Sequence, residues 1–256
     1  MLSRCCESMA CGQNRAVSSW HPRRRPVQLS LGTMAGEDIL QAKRQIRRIV
    51  HETLARLTPS HRRAAGIAVA QRLTAVPEVR AAGTVMAFLS LPTELDTWPI
   101  IRWAWQEGKR VLVPRIEPAP PDVPLARRKM VAVPLRRAEV DGVAAHPDVR
   151  PGPLSILEVP VAASVSPAEI DVVLLPCQAV DRAGNRLGKG GGFYDRLLAR
   201  PDVRAARIAI AFREQVFDEI PVTPADQPVD MLVTDGEVLT FRNTDERRQH
   251  SDQRGV

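Results

Sequence analysis

Segment 176–196 reads P-C-Q-A-V-D-R-A-G-N-R-L-G-K-G-G-G-F-Y-D-R and holds the densest chemistry in the chain. Four of the five positions 188–192 are glycine, and Lys189 is the fifth. Glycines let backbone N–H groups converge on a phosphate, and the start of a helix adds a favourable dipole. Arg186 and Lys189 add positive charge. No Lys-[Ser/Thr] closes the loop, so it is not a Walker A sequence. Phe193 occupies the final glycine position of G-x-G-x-x-G, so it is not a dinucleotide fingerprint either. Physical chemistry alone reads an anion-binding loop that follows a strand and opens a helix. The plainer alternative, a tight left-handed turn without a ligand, suits a lone glycine pair better than four glycines flanked by Arg and Lys.

Other candidates are weaker alone. Lys43, Arg44, Arg47 and Arg48 read by themselves as a solvated helix face, Glu94 as a loop acid, and Asp195 as a complement to a helix dipole. The four cysteines, Cys5, Cys6, Cys11 and Cys177, form no C-x-x-C pair, and the five histidines are scattered. Neither a zinc site nor a disulfide framework is visible, which points to a reducing compartment. Cys177 reads as a small buried residue rather than a catalytic thiol.

The elements that must position the loop follow from periodicity. Ile46, Ile49, Val50, Thr53, Leu54 and Leu57 recur at 3 and 4, one helical face. Thr58-Pro59 reads as N-cap and first position of a second helix, running to about Leu73. Segment 84–89 is a buried strand, 97–106 a helix stopped by Gly108, and 110–114 a strand. This βαβ spacing implies a parallel sheet covered by helices. Segment 115–170 is Pro-rich, with one strand at 130–133. Further strands are expected at 171–175 and 207–212, and a helix at about 191–199. Asp235-Gly236 between 231–234 and 238–241 signals a hairpin. The expected fold is α/β, one domain with a mostly parallel mixed sheet flanked by helices.

The chain has 256 residues and a net charge of +7, but residues 1–35 hold five Arg against one acid. The high pI therefore says little about the folded part. Residues 1–36 show no periodicity and read as a disordered or over-annotated arm, with Met34 as an alternative start. Residues 37–241 form the expected domain, and 242–256 a frayed tail. Aromatics are 4% and none interleaves with Arg or Lys, so no nucleic-acid partner is expected. No apolar run is long enough to span a membrane.

The string R-L-G-K-G-G-G-F-Y-D closely resembles the signature of the 5-formyltetrahydrofolate cyclo-ligase family. Supporting segments are K-R-Q-I-R at 43–47, F-L-S-L-P-T-E-L-D-T at 88–97, A-F-R-E-Q at 211–215 and I-P-V-T-P-A-D at 220–226. The resemblance implies a fold like that of ribose-5-phosphate isomerase and the CoA transferases. It also implies ATP- and Mg²⁺-dependent closure of 5-formyltetrahydrofolate to 5,10-methenyltetrahydrofolate. By this resemblance ATP contacts Lys43, Arg44, Gln45, Ile46 and Arg47. It also contacts the loop Arg186, Leu187, Gly188, Lys189, Gly190, Gly191, Gly192, Phe193 and Tyr194. Folate contacts Arg47, Leu89, Glu94 and the stretch Lys189 to Phe193, with Glu94 accepting from the pterin. Lys189 and Arg186 serve the phosphoryl transfer, and Asp195 and Asp226 hold Mg²⁺. A cytoplasmic monomer is expected. Two departures stand out. Cys177 occupies a position where the family commonly has Gly or another small residue, and Leu154-Ser155-Ile156 lacks the aromatic residue and glycine expected near folate. A paralogue that binds nucleotide or folate without this activity is the alternative.

Overall fold

Thr58 accepts the His61 amide at 3.2 Å through its side chain, and Pro59 opens the helix behind it. That start separates α1 (Gly36–Ala55) from α2 (Pro59–Leu73) in the computed structural model, which describes residues 36–120, 122–153 and 156–241. The expectations for 1–35, 242–256, Leu154 and Ser155 lie outside the described residues. In chain order there follow α3 (Pro77–Ala81), β1 (Thr84–Met86), α4 (Trp98–Gln106), β2 (Arg110–Ile116) and β3 (Met130–Pro134). Next are β4 (Arg150–Pro151), β5 (Leu157–Glu158), β6 (Val172–Leu175), β7 (Ala179–Asp181) and β8 (Arg186–Leu187). The chain continues through α5 (Phe193–Leu198), β9 (Ala206–Ala211), β10 (Val216–Phe217), β11 (Met231–Thr234) and β12 (Val238–Thr240).

The main sheet has seven strands in the order β12-β11-β9-β6-β1-β2-β3. Neighbours from β11 to β2 are parallel; the outer pairs β11–β12 and β2–β3 are antiparallel. Central strands are apolar throughout because both faces are covered. In β6, Val172 and Leu174 enter one core with α2 and α4 residues such as Val69 and Ile101. Val173 and Leu175 enter the other, with Leu197 and Leu198 of α5. That alternation is the period-2 rule of a strand applied to a two-sided sheet.

The strand order places a reversal between β1 and β6. From β1 the chain proceeds outward through β2 and β3, then returns to the other side of β1. In open α/β sheets the loops leaving the carboxyl ends diverge at such a point and leave a crevice. Two of those loops are 87–97 after β1 and 176–178 after β6.

Several expected boundaries shift. The strand expected at 84–89 pairs only over Thr84–Met86, because the chain then turns into the crevice. The helix expected from about Gly191 begins at Phe193, after a left-handed Gly192. Strands β4, β5, β7, β8 and β10 and helix α3 were not anticipated; all are five residues or shorter.

The hairpin β7–β8, part of a three-stranded sheet with β10, hands Arg186 to the site. Asp181 closes its turn from a fully buried position. It accepts from the amides of Ala183 at 3.0 Å, Asn185 at 2.9 Å and Ile220 at 3.2 Å, and from Asn185 Nδ2 at 2.9 Å. Asp181→Ala would strand those donors and should destabilise the fold by roughly 3 kcal/mol. Urea unfolding measured beside the unaltered chain checks this.

Candidate active site

The loop 188–192 is held by its carbonyls and leaves its amides free. Arg47 Nε donates to Gly188 O at 2.9 Å, and Arg196 Nη1 donates to Gly191 O at 3.0 Å. The N–H groups of Lys189, Gly190, Gly191 and Gly192 donate to no described acceptor. Gly190 has φ +108° and Gly192 φ +62°, conformations that side chains rarely adopt. A run of unpaired amides beside a lysine has the chemistry an anion would need.

Helix periodicity places Lys43 and Arg47 one turn apart on one face of α1. Lys43 is buried and bonds to Asp226 Oδ2. Thr223 Oγ1 also donates to that oxygen at 2.9 Å. Burial pushes the Asp226 carboxyl up, but the Lys43 and Thr223 hydrogen bonds outweigh it and hold its pKa below the ordinary value. Burial lowers the Arg47 pKa; the charge of Asp226 opposes this and Arg44 reinforces it.

Arg186 is almost wholly buried and pairs with Asp195 Oδ1 at 2.8 Å. The amide of Gln227, next to Asp226, donates to the same Asp195 oxygen at 3.2 Å. Two carboxylates 31 positions apart in the chain are thereby linked through the Gln227 amide. Asp195 Oδ2 and Asp226 Oδ1 accept from no described residue. Among the described residues no group of three or more His, Cys, Asp or Glu forms a metal cage. Two carboxylates with an oxygen each to offer suit Mg²⁺, which usually takes one or two protein carboxylates and completes its shell with phosphate and water.

A cavity of about 270 Å³ opens beside the loop at the reversal between β1 and β6. Phe88 and Glu94 line it from the loop after β1, Pro176 and Cys177 from the end of β6, and Lys189 from the glycine loop. Glu94 Oε1 pairs with Lys189 Nζ at 2.6 Å, while Oε2 accepts the Leu91 amide at 2.9 Å. Buried Thr97 holds this loop closed by donating to Phe88 O at 2.8 Å. Gln215 Nε2 donates to Cys177 O at 2.6 Å and fixes the opposite wall.

The structure thus gathers Lys43, Arg47, Arg186, Lys189, Glu94, Asp195, Asp226 and the glycines. Other expected contacts lie differently. Ile46 and Leu187 are buried, as is Leu89, which packs in the core. Arg44 and Gln45 point to the exposed side of α1. The Tyr194 hydroxyl is buried with no described partner, and burial pushes its pKa well up. Sequence reasoning missed Thr223 and Gln215, although both stand in motifs it had singled out, T-P-A-D and F-R-E-Q. It also missed His51 and Arg62 on the cavity wall, which carry no local signature.

An open α/β sheet with a glycine-rich loop and a cavity side by side at its topological reversal defines the class of fold and site. The 5-formyltetrahydrofolate cyclo-ligase family matches residues 39–235, and the chain belongs to that family. The Escherichia coli 5-formyltetrahydrofolate cyclo-ligase is 32% identical over 190 residues, covering 71% of this chain and 94% of its own. The mouse protein of the same name is 28% identical over 209 residues, covering 78% and 97%. The NMR structure of Aquifex aeolicus 5,10-methenyltetrahydrofolate synthetase matches with a TM-score of 0.64 at 27% identity, covering 78% of this chain and 93% of that one.

Two outcomes follow from the geometry. A Cβ at Gly190 would meet the Arg47 guanidinium at 3.6 Å and would force a side chain into a φ of +108°. Gly190→Val should lower turnover roughly tenfold or abolish it while the chain stays folded, as steady-state kinetics and circular dichroism will show. Burial pushes the Cys177 thiol up to about 12, with Arg186 opposing. Deprotonation rises with pH, so at pH 8 the native thiol stays protonated. Iodoacetamide should alkylate Cys177 at least about a hundredfold more slowly than in the unfolded chain, read by peptide mass spectrometry.

Proposed function

We propose that this chain closes 5-formyltetrahydrofolate to 5,10-methenyltetrahydrofolate while converting ATP to ADP and phosphate. The observation that carries this reading is the Lys189–Glu94 pair, which joins a loop of four unpaired amides to a cavity about 270 Å³ in volume. One residue thereby touches both a phosphate cradle and an organic pocket.

In this reading the loop amides and Lys189 take the ATP phosphates, and Lys43 and Arg47 approach from α1. Glu94 accepts from the amino group and ring N–H of the pterin, a paired recognition suited to a carboxylate. The formyl oxygen then attacks the γ-phosphorus; an O–P bond forms and the bond to ADP breaks. The second folate nitrogen attacks the activated carbon, loses its proton, and phosphate departs with the formyl oxygen. No protein nucleophile enters. The chain aligns oxygen with phosphorus and supplies fixed donors where charge builds. Asp195 and Asp226 would hold Mg²⁺, which when bound neutralises phosphate charge. Residues 37–241 are proposed as the catalytic unit, a cytoplasmic monomer.

The test incubates purified protein with 5-formyltetrahydrofolate and MgATP and follows methenyltetrahydrofolate absorbance beside ADP. Equal release of both products is expected; neither product would favour the binding paralogue. Asp195→Asn and Asp226→Asn should each keep the fold, lose roughly tenfold or more in activity, and recover part of it at raised Mg²⁺.

A further inference from the structure

Arg196 lies in the last turn of the six-residue α5. It is exposed, and a surface contact of a long side chain stabilises little. Yet its guanidinium is held at three points. Nη1 donates to Gly191 O at 3.0 Å, Nη2 reaches Arg128 O at 3.4 Å, and the group stacks 4.8 Å from the Phe193 ring centroid. A planar fork over an aromatic face is a geometry that Arg makes and Lys does not.

The consequence runs through the peptide plane. In a trans peptide the C=O and the next N–H point in opposite directions. Fixing Gly191 O on Arg196 therefore turns the Gly192 N–H away from Arg196. Arg47 does the same for the plane that joins Gly188 O to the Lys189 N–H. Both amides lack a described partner. Untethered, the stretch Gly190-Gly191-Gly192 has the widest backbone freedom any tripeptide can have, and its amides would scatter.

Resting on the proposed use of ATP, we infer that Arg196 is a positioning residue for the nucleotide. It orients the 191–192 peptide so that the Gly192 amide donates to the polyphosphate, and it acts through the loop without touching substrate. With Arg47 it forms a two-point tether on the loop's carbonyls.

The test uses the full chain with Arg196→Ala and Arg196→Lys, measuring KM for each substrate, Tm, and the Kd of a fluorescent ATP analogue without folate. Arg196→Ala should raise the ATP KM and the analogue Kd by roughly tenfold, with the folate KM within about twofold. The melting temperature should stay within about two degrees, since the side chain is exposed. Arg196→Lys keeps the charge and loses the fork, so it should retain most of the defect. Unchanged nucleotide constants in Arg196→Ala would overturn the assignment. Full rescue by lysine would overturn it in favour of charge alone. A rise in both Michaelis constants with a fallen Tm would overturn it in favour of a general structural role. An unaltered chain that binds the analogue but forms no methenyltetrahydrofolate would sink the functional reading while the Kd comparison still decides Arg196. No nucleotide binding by the unaltered chain would overturn both.

Discussion

A backbone amide removed from water needs an acceptor, and one left without costs about 1–3 kcal/mol. Residues 189–192 escape this penalty by sitting at the surface, where water can serve them. The loop can then present donors without collapsing onto its own fold, provided something else fixes its path. Arg47 and Arg196 do so from the carbonyl side. The glycines allow the turns, and the buried strand β6 anchors the segment upstream. Much of the rest of the fold is arranged around keeping that row of donors in place: α1 brings Arg47, α5 brings Arg196, and the β7–β8 hairpin brings the loop itself.

The same site has to carry cations without ligand. Lys43 and Arg186 are both buried, and an isolated buried charge would shift its pKa or unfold its surroundings. Each has a carboxylate instead: Asp226 for Lys43, Asp195 for Arg186, and, at the cavity, Glu94 for half-exposed Lys189. Within each pair the charges cancel. Under the proposed function, a metal–nucleotide complex brings both a cation for the carboxylates and an anion for the basic groups. Binding then exchanges partners and leaves no buried charge behind. Breaking only one half of a pair is the expensive route, so the cost falls on ligands that supply only one sign.

How much of this could be read from residue order follows from range. Helices α1, α2 and α4 show in their 3–4 spacing and in Thr58-Pro59, and β6, β9 and the β11–β12 hairpin show in apolar runs and Asp-Gly. These signals are local, and so is the glycine loop. Strands of two or three residues, such as β4 and β8, have no period to detect; pairing partners define them. The sheet order was equally hidden, because a reversal between β1 and β6 is set by connections across the Pro-rich 115–170 stretch. Within the site, Lys43 and Asp226 stand 183 positions apart. Nothing near either one announces the other, and only the family's shared motifs put both in one site beforehand. Ile46, Leu89 and Leu187 show the opposite limit: motif membership marked them, but their side chains turn into the core.

The chemistry left to such a site is narrow. Cys177 is the only cysteine among the described residues, and it faces the cavity. Its buried thiol, pushed up to about 12, carries no thiolate worth counting at neutral pH. No Ser-His-Asp array stands in the cavity wall. The wall thus offers neither a thiolate at neutral pH nor a serine triad. What the chain does build is adjacency: a cavity lined by Glu94, a row of unpaired loop amides begun by Lys189, and an ion pair of 2.6 Å between them. Ligands seated on either side of that pair would lie within the few ångströms that direct attack requires. Under the proposed function, the constraint that keeps the loop amides unpaired also sets where one substrate meets the other.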